Sequence, residues 1–141
     1  MLLQIARYVW AAPCSAVGLV LALPGLFSGG SVRLANGVIE VSLGAFLCRI
    51  GHTRFRFRAI TFGHVIIGVS RASLQRLHSH ELVHVRQYEI WGPCFFVAYP
   101  LSSLLQLVRG RNPYWHNWFE VQAYADRGTA SESAADKHTS S

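Results

Sequence analysis

His80-Glu81-Leu82-Val83-His84 spells H-E-x-x-H. On a helix, residues four apart stack on one face, so His80 and His84 can aim two imidazole nitrogens at one point. Zinc accepts such ligands at ~2.0–2.1 Å. Glu81 follows His80 directly and is placed to reach a water on the metal rather than the metal itself. Zinc lowers the pKa of such a water from 15.7 towards ~7, and a carboxylate can then take its proton as the oxygen attacks a carbonyl. The chemistry indicated is zinc-assisted hydrolysis, with His80 and His84 as metal ligands and Glu81 as general base.

A catalytic zinc usually has three protein ligands and one open position. Glu89 lies five residues past His84, about 140° around the helix, and faces away. Six residues past His84, where a metzincin has its third histidine, stands Ile90, which excludes that class. Glu120 is the chosen third ligand: it falls on the next well-marked helix, and small Ala123 one turn later permits close helix approach. His116 shares the face of Glu120 and is the alternative ligand. His116, Tyr114 or Tyr124 could instead donate a hydrogen bond to the developing oxyanion. Gln87, one turn past His84, is read as capping a buried polar gap.

The stretch His80-Glu81-Leu82-Val83-His84-Val85-Arg86-Gln87, followed by Asn112-Pro113 and Glu120-Val121-Gln122-Ala123, resembles small bacterial gluzincin-like metallopeptidases. These carry an H-E-x-x-H-x-x-Q helix and a later E-x-x-A helix. The resemblance covers roughly residues 61–127. It implies zinc held by His80, His84 and Glu120, with Glu81 as general base and Gln87 in support. Fuller gluzincins often have an acid four residues after the ligand glutamate; here that position is Tyr124, and the nearest acid is Asp126.

The elements that must carry these residues can be read from punctuation and periodicity. Ser70 or Ser73 can cap a helix running to about Trp91, and Gly92-Pro93 ends it. Leu74, Leu77, Leu82, Val85 and Tyr88 supply its packing. Residues 94–108 are free of charge, contain Pro100 and close at Arg109-Gly110, as a buried core helix or a membrane-dipping one would. Asn112-Pro113 is expected to start the next helix, with Asn as N-cap, running to about Arg127. Between residues 32 and 70 the pattern is short, apolar and β-branched, with an Asn36-Gly37 turn. This pattern predicts a small antiparallel sheet, with strands over 38–43, 45–50, 54–60 and 64–69. Arg54-Phe55-Arg56-Phe57-Arg58 alternates as a strand with arginines on one face. The segment 61–67 can serve as an edge strand to which a peptide adds. His78 lies on nearly the opposite face from His80 and is expected in solvent. His52 and His64 fall in the sheet region and are not expected to be ligands.

Composition bounds the rest. The 141 residues are 51% hydrophobic and only 14% charged, with net charge +6, which excludes a disordered chain. Cys14, Cys48 and Cys94 are too few and too scattered for a disulfide framework. Eight arginines precede residue 81 against one acid, Glu40, while six of the seven acids come from Glu81 onward. Basic charge favours anionic lipid or nucleic acid, but no nucleic-acid motif accompanies it, so no nucleic-acid partner is expected. Tyr8–Ser31 contains no charge and is long enough to cross a bilayer. It reads as a membrane anchor, with a cleaved signal peptide or an apolar segment packed on the domain as alternatives. Pro13, Gly18 and Pro24 disfavour a straight helix there. The arginines after it favour a cytoplasmic body, whereas Arg7 opposes that.

The expectation is an α+β, zincin-like domain over 32–127: a small antiparallel sheet packed on the H-E-x-x-H helix and a second ligand-bearing helix. A hydrophobic segment, 1–31, precedes it, and a disordered polar tail, 128–141, completes the chain. The expected function is a membrane-associated zinc metallopeptidase acting on a peptide or protein substrate. The alternative is a non-catalytic, membrane-associated binding module that keeps the zinc for structure.

Overall fold

The computed structural model describes residues 2–44 and 58–126. The strand expected at 45–50, most of the alternating Arg/Phe stretch and the tail lie outside these. The chain divides into two compact units, Met1–Pro93 and Cys94–Ser141.

The first unit is α+β. Helix α1 (Leu2–Phe27) leads into strands β1 (Ser31–Ala35), β2 (Val38–Ser42), β3 (Ala59–Phe62) and β4 (Val65–Gly68), and then helix α2 (Arg71–Trp91). The sheet order is β1-β2-β4-β3. Two tight hairpins set the outer pairs. Asn36 and Gly37 both take positive φ, 51° and 77°, which the two-residue turn joining Ala35 to Val38 demands. Gly63, at φ 58°, opens the Gly63-His64 turn between Phe62 and Val65.

The sheet is mixed rather than antiparallel, because the two central strands, β2 and β4, run parallel. Val65-Ile66-Ile67 explains why: an unbroken apolar run suits a strand covered on both faces, as parallel strands are. Strand β1 has no place in the expected set. It is a largely exposed edge carrying Arg33, so it lacks the apolar alternation that marks the inner strands.

Side-chain alternation sorts the strands between two helical layers. Ile39, Val41, Leu43, Val65 and Ile67 meet Ala22 and Leu26 of α1. Val38, Ile66 and Ala59 meet Leu74, Leu82 and Val85 of α2. Helix α1 is continuous through Pro13 and Pro24, both of which lie on its exposed side. It packs through a stripe of small residues: Ala11, Cys14, Gly18, Ala22 and Gly25. A Cβ on Gly18 would stand 2.8 Å from Phe62 Cβ and 2.9 Å from Val65 Cβ, so this crossing needs glycine. The helix ends in a Schellman motif: Gly29 is at φ 85° and Gly30 N–H donates to Gly25 O at 2.9 Å. Polar ties hold its start, with Tyr8 OH donating to Gly37 O at 2.9 Å and Trp10 Nε1 to Ile90 O at 3.3 Å.

Helix α2 begins and ends where its caps dictate. Ser70 Oγ accepts from Ser73 N–H at 3.2 Å, and Gly92, at φ 52°, returns its N–H to Tyr88 O. A 3-10 turn covers Gly92–Cys94.

The second unit is helical. Helix α3 (Phe95–Val108) closes at Arg109 and Gly110, and a final helix, α4, covers residues 118–126. Helix α4 starts later than Asn112-Pro113 suggests. Asn112 Oδ1 does accept from Tyr114 and Trp115 N–H, at 2.9 and 3.0 Å, but what it caps is the isolated turn 113–116. The N-cap is Asn117, whose Oδ1 accepts from Phe119 N–H at 3.0 Å. Its amide also donates to Tyr99 O at 3.1 Å and Ser103 Oγ at 2.7 Å, and the side chain is fully buried.

Two stretches, Leu2–Phe27 and Arg71–Val108, are long and apolar enough to cross a membrane. Core helices of soluble proteins and signal sequences meet the same criterion.

Candidate metal centre

Helix α2 delivers the histidine pair as its spacing demands. His80 Nε2 and His84 Nε2 lie 3.2 Å apart and both rings are buried. The rings meet edge to face, their centroids 4.8 Å apart. Gln87 Oε1 accepts from His84 Nδ1 at 2.8 Å. That bond puts the ring proton on Nδ1 and turns Nε2 towards His80 Nε2, the orientation a shared metal requires.

Glu81 is also buried, and it points to the sheet. Thr61 Oγ1, from β3, donates to Glu81 Oε2 at 2.7 Å. Thr61 occupies the α2-facing register of its strand and is itself buried. Two further α2-facing contacts lie nearby. Buried Glu40 of β2 accepts from His78 Nδ1, and Asn36 Nδ2 reaches His78 Nε2 at 2.8 Å. His78 is therefore a tether between α2 and the β1–β2 hairpin, not a free solvent residue. His64 hydrogen-bonds Glu89 Oε1 at 3.2 Å.

In the second unit, Glu120 sits in the first turn of α4, 3% exposed. Tyr99 OH, from α3, donates to its Oε1 at 2.6 Å. Tyr114 OH and Tyr124 OH are 3.4 Å apart. Burial, the bond with Tyr124 and the charge of Glu120 together push the Tyr114 phenol far above its usual range, so it stays a neutral donor. His116 is exposed in the 113–116 turn.

Among the described residues, one group of histidine, cysteine and acidic side chains could hold a metal ion. It is His80, His84 and Glu120, all buried, with ligand atoms within 4.8 Å of one another. The spacing fits. Two ligands at zinc bond lengths on a tetrahedral centre are about 3.3–3.4 Å apart, and the two Nε2 atoms are 3.2 Å apart.

The chain matches no family model, no curated protein and no solved structure.

Sequence reasoning misses two hydrogen-bond partners, Thr61 as donor to Glu81 and Tyr99 as donor to Glu120. The Tyr99 signal is present: Tyr99, Ser102, Ser103 and Gln106 recur at i, i+3, i+4 and i+7 in an otherwise apolar run. Thr61 leaves none, since a threonine in a strand is ordinary.

Proposed function

We propose that the chain is a membrane-associated zinc metallopeptidase that hydrolyses peptide bonds. The supporting observation is the buried group of two imidazoles and one carboxylate, with a further buried carboxylate, Glu81, beside the first imidazole. A structural zinc site is closed by four ligands, usually with cysteine among them, whereas this set is His, His, Glu.

In this reading His80, His84 and Glu120 hold the ion. A bound zinc polarises a carbonyl and lowers the pKa of water towards ~7. Glu81 takes the proton from the attacking water and passes it to the leaving amine. Thr61 orients the Glu81 carboxylate, because its hydroxyl donates to Oε2. Gln87 holds the His84 tautomer, and Tyr99 orients Glu120. Tyr114, as a neutral phenol, is the donor for the oxyanion, with Tyr124 behind it. An extended peptide would add to the edge of β3, the strand that carries Thr61. Helix α1 is taken as the membrane-contacting element: it has 26 residues and an apolar outer side beyond Arg7.

Metal analysis and two variants test this. One zinc per purified chain is expected. Glu81→Gln keeps that zinc and loses hydrolysis. Glu120→Ala loses metal affinity by more than the ~10–100-fold that removing an outer-shell partner costs. Undiminished hydrolysis in Glu81→Gln would overturn the mechanism. Full zinc content in Glu120→Ala removes that residue from the ligand set. Bound zinc with no hydrolysis, and unfolding on chelation, would support a structural zinc in a binding module.

A further inference from the structure

Helix α3 is built inside out. Its polar stripe, Tyr99, Ser102, Ser103 and Gln106, faces the second unit's own chain. There Tyr99 binds Glu120, Ser102 Oγ accepts from Trp118 N–H at 3.1 Å, Ser103 Oγ accepts from Asn117, and Gln106 is buried. Its outward side repeats apolar pairs at every turn: Phe96 and Val97, Pro100 and Leu101, Leu104 and Leu105, Leu107 and Val108. Val97 is 68% exposed, Leu101 62% and Val108 78%. A helix in water buries its apolar stripe and exposes its polar one. The reverse arrangement is stable where the surroundings are hydrocarbon and polar groups must be satisfied internally.

The residues just beyond α3 identify those surroundings. Arg109 and Arg111 come immediately after the helix, both exposed. Trp115 and Trp118 come next, 58% and 55% exposed. Arginine to pair with anionic headgroups, and tryptophan at the boundary between water and acyl chains, are the markers of a bilayer interface. A second protein chain would be met by an apolar patch with a polar rim all round; here two arginines and two exposed indoles follow the C-terminal end of the helix.

We propose that the outward face of α3 lies against the acyl chains of a lipid bilayer, with Arg109, Arg111, Trp115 and Trp118 at headgroup level, and that the substrate is a polypeptide held in or on the same bilayer. The second half rests on the peptidase reading. Its basis is that Glu120 is two residues past Trp118, so the carboxylate is within one helical turn of the interface.

The test uses the full chain in phosphatidylcholine–phosphatidylglycerol vesicles. The double variant Trp10→Phe/Trp91→Phe leaves Trp115 and Trp118 as the only indoles. Their emission is expected to be lost to lipids brominated close to the headgroup, and less to lipids brominated near the chain end. In parallel, the unmodified chain is irradiated with a photoactivatable lipid, and adducts are expected over 96–108. Unquenched indoles in vesicle-bound protein, or adducts confined to α1, would overturn the lipid contact. So would crosslinking of 96–108 to a second copy in place of lipid.

For the substrate, one peptide is compared free and lipid-anchored in the vesicles. Confinement to the bilayer raises its effective concentration, and about a 10-fold or larger preference for the anchored form is expected. Equal rates would overturn the substrate class. Cleavage of neither form, with indole quenching intact, would count against the peptidase reading and leave the lipid contact standing.

Discussion

Thr61 and Glu81 share the shortest route from the sheet to the proposed chemistry. A hydrogen bond to a charged group is worth about 1.5–3 kcal/mol. If that energy holds the carboxylate in its working orientation, losing it costs roughly 10–100-fold in rate. Thr61→Val keeps the branched shape and the strand preference while removing the hydroxyl. The expected result is a fall in kcat of that size with zinc content unchanged; an unaltered kcat would reduce Thr61 to packing. The residues that differ in legibility differ for a physical reason. His80, Glu81 and His84 are neighbours in one turn, so helical geometry alone relates them. Thr61 lies 20 residues before Glu81 and Tyr99 lies 21 before Glu120, so their pairing depends on how separate elements meet. Nothing at Thr61 announces it, and at Tyr99 only the polar stripe through an apolar run does.

Elements are legible where a cap or a turn has its own chemistry. Ser70, Gly92, Asn36-Gly37 and Gly110 each mark a boundary through a hydrogen bond or a positive φ that few residues adopt. The start of α4 is harder to read because two asparagines compete. Asn112 and Asn117 both cap a turn, and only Asn117 has the buried partners that commit the chain to a helix. Asn117→Ala removes the cap, about 1 kcal/mol, and takes away the donor to partly buried Tyr99 O and Ser103 Oγ. A clear fall in melting temperature is expected. Asn117→Asp keeps the cap but cannot donate to those two acceptors, so it should fall between Ala and the parent. Equal losses for both would show that the cap alone matters. Gly18 makes the matching argument for α1. Alanine gains up to about 1 kcal/mol in helix propensity, yet its Cβ has no room against Phe62 and Val65. Overpacking costs about 1–3 kcal/mol, so Gly18→Ala is expected to lower thermal stability; a rise would mean that α1 and β3–β4 can separate freely.

At the scale of the molecule two forces can bring the chain to a membrane, and their sizes decide between them. The 13 basic residues attract an anionic surface by at most about 13 kcal/mol, at ~1 kcal/mol per basic residue near the surface, before the seven acids are set against them. That attraction fades as salt shortens the Debye length to about 3 Å at 1 M. Against it stand twelve large apolar side chains exposed on α1 and seven on α3. If each is roughly half exposed and gains on the order of 1 kcal/mol from leaving water, the apolar contribution is on the order of 20 kcal/mol. Apolar transfer does not weaken in salt; it strengthens slightly. In the proposed membrane reading, apolar transfer therefore outweighs attraction by charge, which serves to orient the arginines. Membranes from cells expressing the full chain should retain it through high-salt and alkaline carbonate washes and release it only to detergent, as read by immunoblot of each fraction. Release by salt alone would mean that the apolar faces of α1 and α3 are covered by something other than lipid, and that the arginines carry the attachment.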